Sequence, residues 1–391
     1  MALKYRAMAR DPFYFFRGTA HLFYEDLANA SAMPPSPLTW VCGDLHIENF
    51  GSFKADNRLV YFDLNDFDEA ALAPASWELV RMVTSIFVAL VTMGTTNAEA
   101  KNMALLFLER YAAVAGKGRA RYIEPQTAKG IVRSFLLKVS ERKQKELVKE
   151  RTVKKNGQLA LQADNKRLFT IDPSLAASLS GFINEWLTAN LLHNRFNVID
   201  AGFRIAGTGS IGVNRYVFLL EKVNGDRKYL LLDMKQTLPS TLQSHLTPSE
   251  RLGRAGIQQP DWHSEAARVV AIQERMQNIS PALLGTGIFN KESYVIKEMQ
   301  PTADKINFDL LENRYNDIEE VLENMALLTA SAQLRSSGRQ GAAVADELIA
   351  FGRDCSWIPS IINYAGQYAR QVTADYNNYL GAYNSGYFEN V

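Results

Sequence analysis

Apolar positions recur at helical spacing through YFFRGTAHLFYEDLANA near the start of the chain and stop at the turn-rich SAMPPSP, which predicts a helical opening segment. The strand-like LTWVC follows and runs into GDLHIENFG, residues 43 to 51, where polar side chains break the hydrophobic pattern. GSFKA and LVYFDL then flank Asp56 and Asn57, residue types that favour tight turns. A β-hairpin with an acidic patch at each end is expected there. The stretches SWELVRMVTSIFVALVTM, AEAKNMALLFLERYAAVA and PSLAASLSGFINEWLTANLL predict a helical body over residues 76 to 195.

The pattern changes near residue 200, where FRIAGTGSIG, VNRYVFLLEKV and KYLLLDMKQ are strand-like and Asn224, Gly225 and Asp226 mark the last turn among them. A helix, SEAARVVAIQERMQ, and two strands, ALLGTGIF and ESYVIKEMQ, complete a small α+β module by about residue 300. The expected organisation is a large, mainly helical lobe at 1–199 carrying both acidic patches, a small β-rich lobe at 200–300, and helices at 301–391 that complete the large lobe. No internal repeat or low-complexity tract interrupts this order.

Composition narrows the class. With 391 residues and 47% apolar composition the chain can bury a large core. Its 43 Lys and Arg against 42 Asp and Glu give no general attraction to nucleic acid or to an anionic membrane. Cys42 and Cys355 cannot form a disulfide framework. MALKYRAMARDPF lacks the apolar run of a secretory signal, and LVRMVTSIFVALVTMG is short and carries Arg81, so the chain reads as soluble and cytoplasmic. One segment, 117 to 155, holds thirteen Lys and Arg against four Glu; it reads as a solvated helix face, with an anion site as the other option.

Three motifs carry chemistry. GTGSIG places Gly207, Gly209 and Gly212 in G-x-G-x-x-G spacing, with Thr208 and Ser210 between them, so backbone amides can approach a phosphate. A dinucleotide-binding turn runs from strand into helix, whereas VNRYVFLLEK continues as a strand and suits a kinase-type flap. Lys235 ends the apolar run KYLLLDMK, where burial requires an anionic partner. In a kinase-type site such a lysine holds the α and β phosphates and is held by a helix glutamate. Glu265 is the first candidate for that partner and Glu274 the alternative. In GDLHIENFG, Asp44 is placed to accept a proton from an acceptor hydroxyl and Asn49 to offer Mg²⁺ a neutral oxygen, with a carboxylate from the next strand end completing the cradle. His46 is expected to orient this loop by hydrogen bonding, or else to touch substrate.

GDLHIENF resembles the catalytic loop of aminoglycoside and choline-type phosphotransferases, and DLNDFDEA resembles their metal-binding segment. Through FYFFRG, GDLHIENFG, FDLNDFDE, GTGSIG, RVVAIQERMQ and QYARQVTADY, nearly the whole chain is similar to a bacterial group, domain-of-unknown-function family 2252. The resemblance implies an α+β, protein-kinase-like two-lobed fold. In ordinary kinases the glycine loop and lysine precede the catalytic loop; here they follow it, which is the order of a circular permutation. Counting forward from Asn49 makes Asp63 the metal ligand, while counting backward from SWELVR makes it Asp66; the likeness of DFDEA to the phosphotransferase segment favours Asp66. Glu78 stands where the following helix of those enzymes carries Asp.

The expectation is therefore an ATP- and Mg²⁺-dependent phosphotransferase. Gly207, Thr208, Gly209, Ser210 and Gly212 would cover the phosphates and Lys235 would pair with them. Asn49 and Asp66 would hold Mg²⁺, Asp44 would act on the acceptor, and adenine would lie near Met299. Cys-Gly before Asp44, where protein kinases have His-Arg, leans toward a small-molecule acceptor. Nucleotidyl transfer to a protein and a silent nucleotide-binding scaffold are the alternatives.

Overall fold

The computed structural model describes residues 2–30, 33–190, 192, 196–206, 212–223, 228–247, 250, 260–301 and 305–390. The opening segment forms α1 (Ala2–Met8), α2 (Pro12–Gly18) and α3 (Ala20–Ala28), and the Asp11 side chain caps α2 by accepting from the Tyr14 amide. β1 (Leu38–Val41) leads to the first acidic loop, and β2 (Phe50–Lys54) and β3 (Val60–Leu64) form the expected antiparallel hairpin. β4 (Ala71–Pro74) then returns to pair with β1, so the loops at 42–49 and 65–70 emerge side by side.

In α4 (Ala75–Thr92) every residue from Ala75 to Leu90 is buried. By length and composition this helix could cross a bilayer, but here it is the central helix of the core. Around it pack α5 (Asn97–Lys117) and the chain's last helices, and α6 (Gly130–Glu141) lies at the margin.

The basic segment continues into α7 (Gln144–Arg151), β5 (Thr152–Lys155), β6 (Gln158–Leu161) and β7 (Leu168–Phe169), an arm that folds onto the small sheet. Then come α8 (Pro173–Ala189), β8 (Phe196–Arg204), β9 (Arg215–Lys222) and β10 (Tyr229–Gln236). Next are α9 (Glu265–Met276), β11 (Gly285–Phe289) and β12 (Glu292–Glu298). The order across the sheet is β11-β12-β10-β9-β8-β7, with antiparallel neighbours throughout. The chain closes with α10 (Tyr315–Ser336), α11 (Ala345–Arg353) and α12 (Ile358–Asn384).

Strand alternation gives the sheet two unlike faces. Tyr216, Phe218, Leu220, Leu230, Leu232 and Met234 pack against Leu179, Ile183, Trp186 and Leu187 of α8. The sequence pattern assigns α8 to the helical body, but its apolar stripe covers the sheet instead, because a sheet face that apolar needs a partner of its own. On the other face Arg215, Val217, Asp233, Lys235, Val295 and Lys297 look into a cleft.

Candidate active site

The cleft measures about 620 Å³ and lies between the sheet and the two acidic loops. Its floor is made rigid by backbone anchoring. Gly43 has φ +86°, and a Cβ there would stand 2.1 Å from the Glu69 carbonyl oxygen, so only glycine lets the two loops press together. Glu78 Oε1 accepts from the Cys42 amide at 2.7 Å and Oε2 from Gln333 at 2.8 Å, tying the first loop to α4 and α10. Asn49 clamps one loop to the other: Nδ2 donates to the carbonyls of Asp44 at 3.0 Å and Asp66 at 3.1 Å, while Oδ1 accepts from the Asp66 amide at 2.7 Å.

Asp44 is positioned by a residue the motif reading assigned no role. Buried Arg81 of α4 donates to Asp44 Oδ1 through Nε at 3.0 Å and Nη2 at 2.7 Å, and its guanidinium lies 3.6 Å from the centre of the Phe16 ring. Asp44 Oδ2 stands 4.0 Å from His46 Nε2. Burial, with Arg17, Lys305 and Arg81 nearby, pushes the His46 imidazolium well below its ordinary range. His46 Nδ1 accepts from the Glu48 amide at 3.1 Å, so the neutral ring carries its proton on Nε2. His46 thus holds the loop, as expected. An ionisable residue inside so apolar a helix was the available signal for Arg81, since its burial demands a partner.

Lys235 reaches across from the sheet to this floor. Its Nζ contacts Asp68 Oδ2 and stands 3.5 Å from Asp66 Oδ1. Partial desolvation opposes charge on Asp66, whose side chain is still 57% exposed, but Lys235, then Lys297 and Lys305, offset it and hold the carboxyl down to about 2. Burial and the Asp66 charge push the Asp68 carboxyl up. Burial disfavours charge on Lys235, and the two aspartates overcome it, leaving the ammonium above its ordinary range.

Glu265 is not the partner of Lys235. It pairs at 2.7 Å with Arg268, one helical turn away, and Glu274 is exposed. The reason is placement: α9 turns Val269 and Gln273 toward the cleft, and the end of β10 lies over the 65–70 loop, which supplies nearer acids. What α9 contributes is Arg268, which donates to the carbonyls of Asp68, Ala70 and Leu238 and so braces that loop.

Of the two metal-ligand registers, Asp66 lines the cleft and Asp63 does not. Asp63 is 3% exposed on β3 and accepts from the Leu64 amide; burial pushes its carboxyl up to about 6 even though Arg335 opposes the shift. A carboxyl raised this way stabilises the fold fully below about pH 4, and the contribution is lost as pH rises through 6. Asp63→Asn should therefore be more stable than the parent at pH 8 by about 3 kcal/mol, with the difference largely gone at pH 4. Urea unfolding at the two pH values checks this; an equal difference at both would show that Asp63 does not titrate there.

Gly207, Thr208, Gly209 and Ser210 lie outside the described residues. Ile205 and Ala206, just before them, line the cleft, and Gly212 after them has φ +107°. Met299 lines the cleft but is 3% exposed. Its amide donates to the Leu231 carbonyl at 2.8 Å, and its side chain packs among Leu147, Val148, Leu161 and Leu168 of the arm. Most of the basic segment is exposed, as expected of a solvated face, but Arg151 at the end of α7 lines the cleft. Among the described residues no group of three or more His, Cys, Asp and Glu side chains forms a ready metal cage.

Residues 1–382 match a family model described as an uncharacterized protein conserved in bacteria (DUF2252). The chain belongs to this family. No curated protein and no solved structure matches it. In this DUF2252 chain Asp44, Asp66 and Lys235 line one cleft, while Asn49, 2% exposed, lies beneath it and joins the two loops.

Proposed function

We propose that the protein is an ATP-dependent phosphotransferase with a kinase-like site in permuted order, acting on a hydroxyl acceptor. The observation that carries this reading is the meeting of Lys235 with Asp68 and Asp66, the first pair 167 residues apart in the chain, in the cleft that Asp44 also lines. Supporting it, the lysine sits on the third of three successive antiparallel strands, β8 to β10, and a helix follows, as in protein kinases.

The donor set suits Mg²⁺, which takes one or two carboxylates and leaves its other positions to phosphate oxygens and water. Asp66 and Asp68 would hold it. Asn49 is buried beneath the cleft, so it would hold Asp66 in place through the Asp66 amide rather than touch the metal. Magnesium-bound ATP supplies the transferable phosphoryl group. Lys235 would bind the phosphates, Asp44 would accept the acceptor's proton on Oδ2, and Arg81 would fix Asp44 through Oδ1.

Nucleotidyl transfer is the second reading, favoured by the charged rather than apolar lining of the cleft between Lys235 and Met299. ATP labelled separately at the α and γ positions, incubated with a cell extract, separates the two. Transfer of γ label supports the phosphotransferase, transfer of α label supports nucleotidylation, and neither points to a silent scaffold. ATP with Mg²⁺ should also stabilise the protein by about 2.7 kcal/mol at a hundredfold excess over Kd. An unchanged melting temperature with millimolar ATP or GTP would remove the nucleotide assignment.

A further inference from the structure

The roof of the cleft holds a concentration of charge that neither phosphate binding by Lys235 nor the chemistry at Asp44 uses. Along β10 Lys235 and Asp233 face the cleft, and Leu231, next on the same side, is buried under the arm with its carbonyl taking the Met299 amide. Each two-residue step along a strand covers about 6.7 Å, so Asp233 lies midway between Lys235 and the place expected for adenine. A flat base needs apolar surface there. The surface is ionic instead: Asp233 accepts from Arg204 at 2.8 Å and, as a fork, from Arg215 at 2.7 to 3.1 Å. Lys297 is the cross-strand neighbour of Asp233 and makes no ion pair with a described residue.

The arm adds cations to the same space. Arg151, Lys166 and Arg167 line the cleft, and the Lys166–Arg167 turn is held by Asp164 Oδ1, which accepts from the amides of both and of Leu168 at 2.7 to 2.9 Å. Glu298, the other acid at this end, is paired with Arg58 at 2.6 Å. Six cations thus line this end of the cleft with two carboxylates, Asp233 and the Arg58-paired Glu298, while Asp164 is bound to the arm's own amides. Burial lowers the Lys297 ammonium below its ordinary range, a penalty that a bound anion would relieve. Guanidinium forks suit phosphate oxygens in particular.

We propose that the roof between Lys235 and Met299 is a polyphosphate subsite, where Arg204, Arg215 and Lys297 of the sheet and Arg151, Lys166 and Arg167 of the arm hold a chain of phosphates in place of a base. This rests on the transferase reading for the origin of the phosphates, which belong either to the nucleotide itself or to a polyphosphorylated acceptor. The subsite is a property of the wall alone.

Inorganic tripolyphosphate is the probe, titrated calorimetrically into the full chain at 0.15 M salt without nucleotide. It should bind, and adenosine should not compete with it. Lys166 and Arg167 are exposed, so K166A/R167A should keep the parent melting temperature while binding tripolyphosphate at least tenfold more weakly; R151A is the second variant. Displacement of ATP by tripolyphosphate assigns the subsite to the nucleotide's own phosphates, and simultaneous binding assigns it to a phosphorylated acceptor. Absent tripolyphosphate binding, or parent affinity in both variants, overturns the proposal even if label transfer from ATP is observed. Wall-dependent binding with no transfer of either label would instead leave the subsite standing and remove the transferase.

Discussion

Asp44→Asn is expected to lower turnover by about 10²- to 10⁴-fold, the range that a positioned general base contributes, while nucleotide binding stays nearly intact. The geometry separates the two effects. Asp44 meets Arg81 through Oδ1 and looks toward His46 and the cleft through Oδ2, whereas the contacts that bring Lys235 into the site run to Asp66 and Asp68. Asparagine keeps an oxygen for Arg81 and loses the proton acceptor. Lys235→Ala should do the reverse, weakening nucleotide binding and leaving Asp66 and Asp68 facing each other without their shared cation. Label transfer together with ATP calorimetry on both variants checks this. Equal loss of nucleotide binding in the two would mean that Asp44 is not the base.

Arg81→Met should produce the largest loss of stability, about 3 kcal/mol, the lower end of what breaking a buried ion pair costs. The lower end applies because the Asp44 side chain remains 25% accessible, so its stranded charge keeps some water. The substitution also removes the donor to the Phe16 carbonyl and the guanidinium that lies against the Phe16 and Phe23 rings. Denaturant unfolding measures the effect, and the double variant R81M/D44N should recover part of it because the stranded charge is gone. An R81M protein as stable as the parent, or a double variant whose losses simply add, would show that the pair does not hold the loop.

The hairpin of β2 and β3, the strands β9 and β10, and the helix and strands that follow were legible along the chain, because turn chemistry and side-chain periodicity act over a few residues; β8 instead runs Phe196–Arg204 and shares only Phe203 and Arg204 with the strand-like FRIAGTGSIG. Gly43 shows the opposite case: only the Glu69 backbone pressed against it at φ +86° makes glycine obligatory. The roof has a trace in the sequence as well. Arg215 and Asp233 interrupt otherwise apolar strands, and Asp233 shares the face of Lys235 two positions on, so a paired ionic layer was implied by alternation.

GDLHIENFG and DFDEA, read as residue types at their spacing, dictate that Asp44, Asn49 and an aspartate of the next loop gather near one another, since a short hairpin leaves them no room to part. They do not dictate which acid meets Lys235, whether Asp63 or Asp66 faces the cleft, or that Arg81 and Arg268 brace the two loops. Those outcomes follow from how α4, α9 and the sheet pack around the floor. The difference is physical: periodicity and turn preference are set by neighbours in the chain, whereas an ion pair forms with whichever opposite charge packing brings within a few ångströms, at any separation in sequence. Lys235 found Asp68 rather than Glu265 because β10 ends above the 65–70 loop while α9 spends its first-turn glutamate on its own arginine.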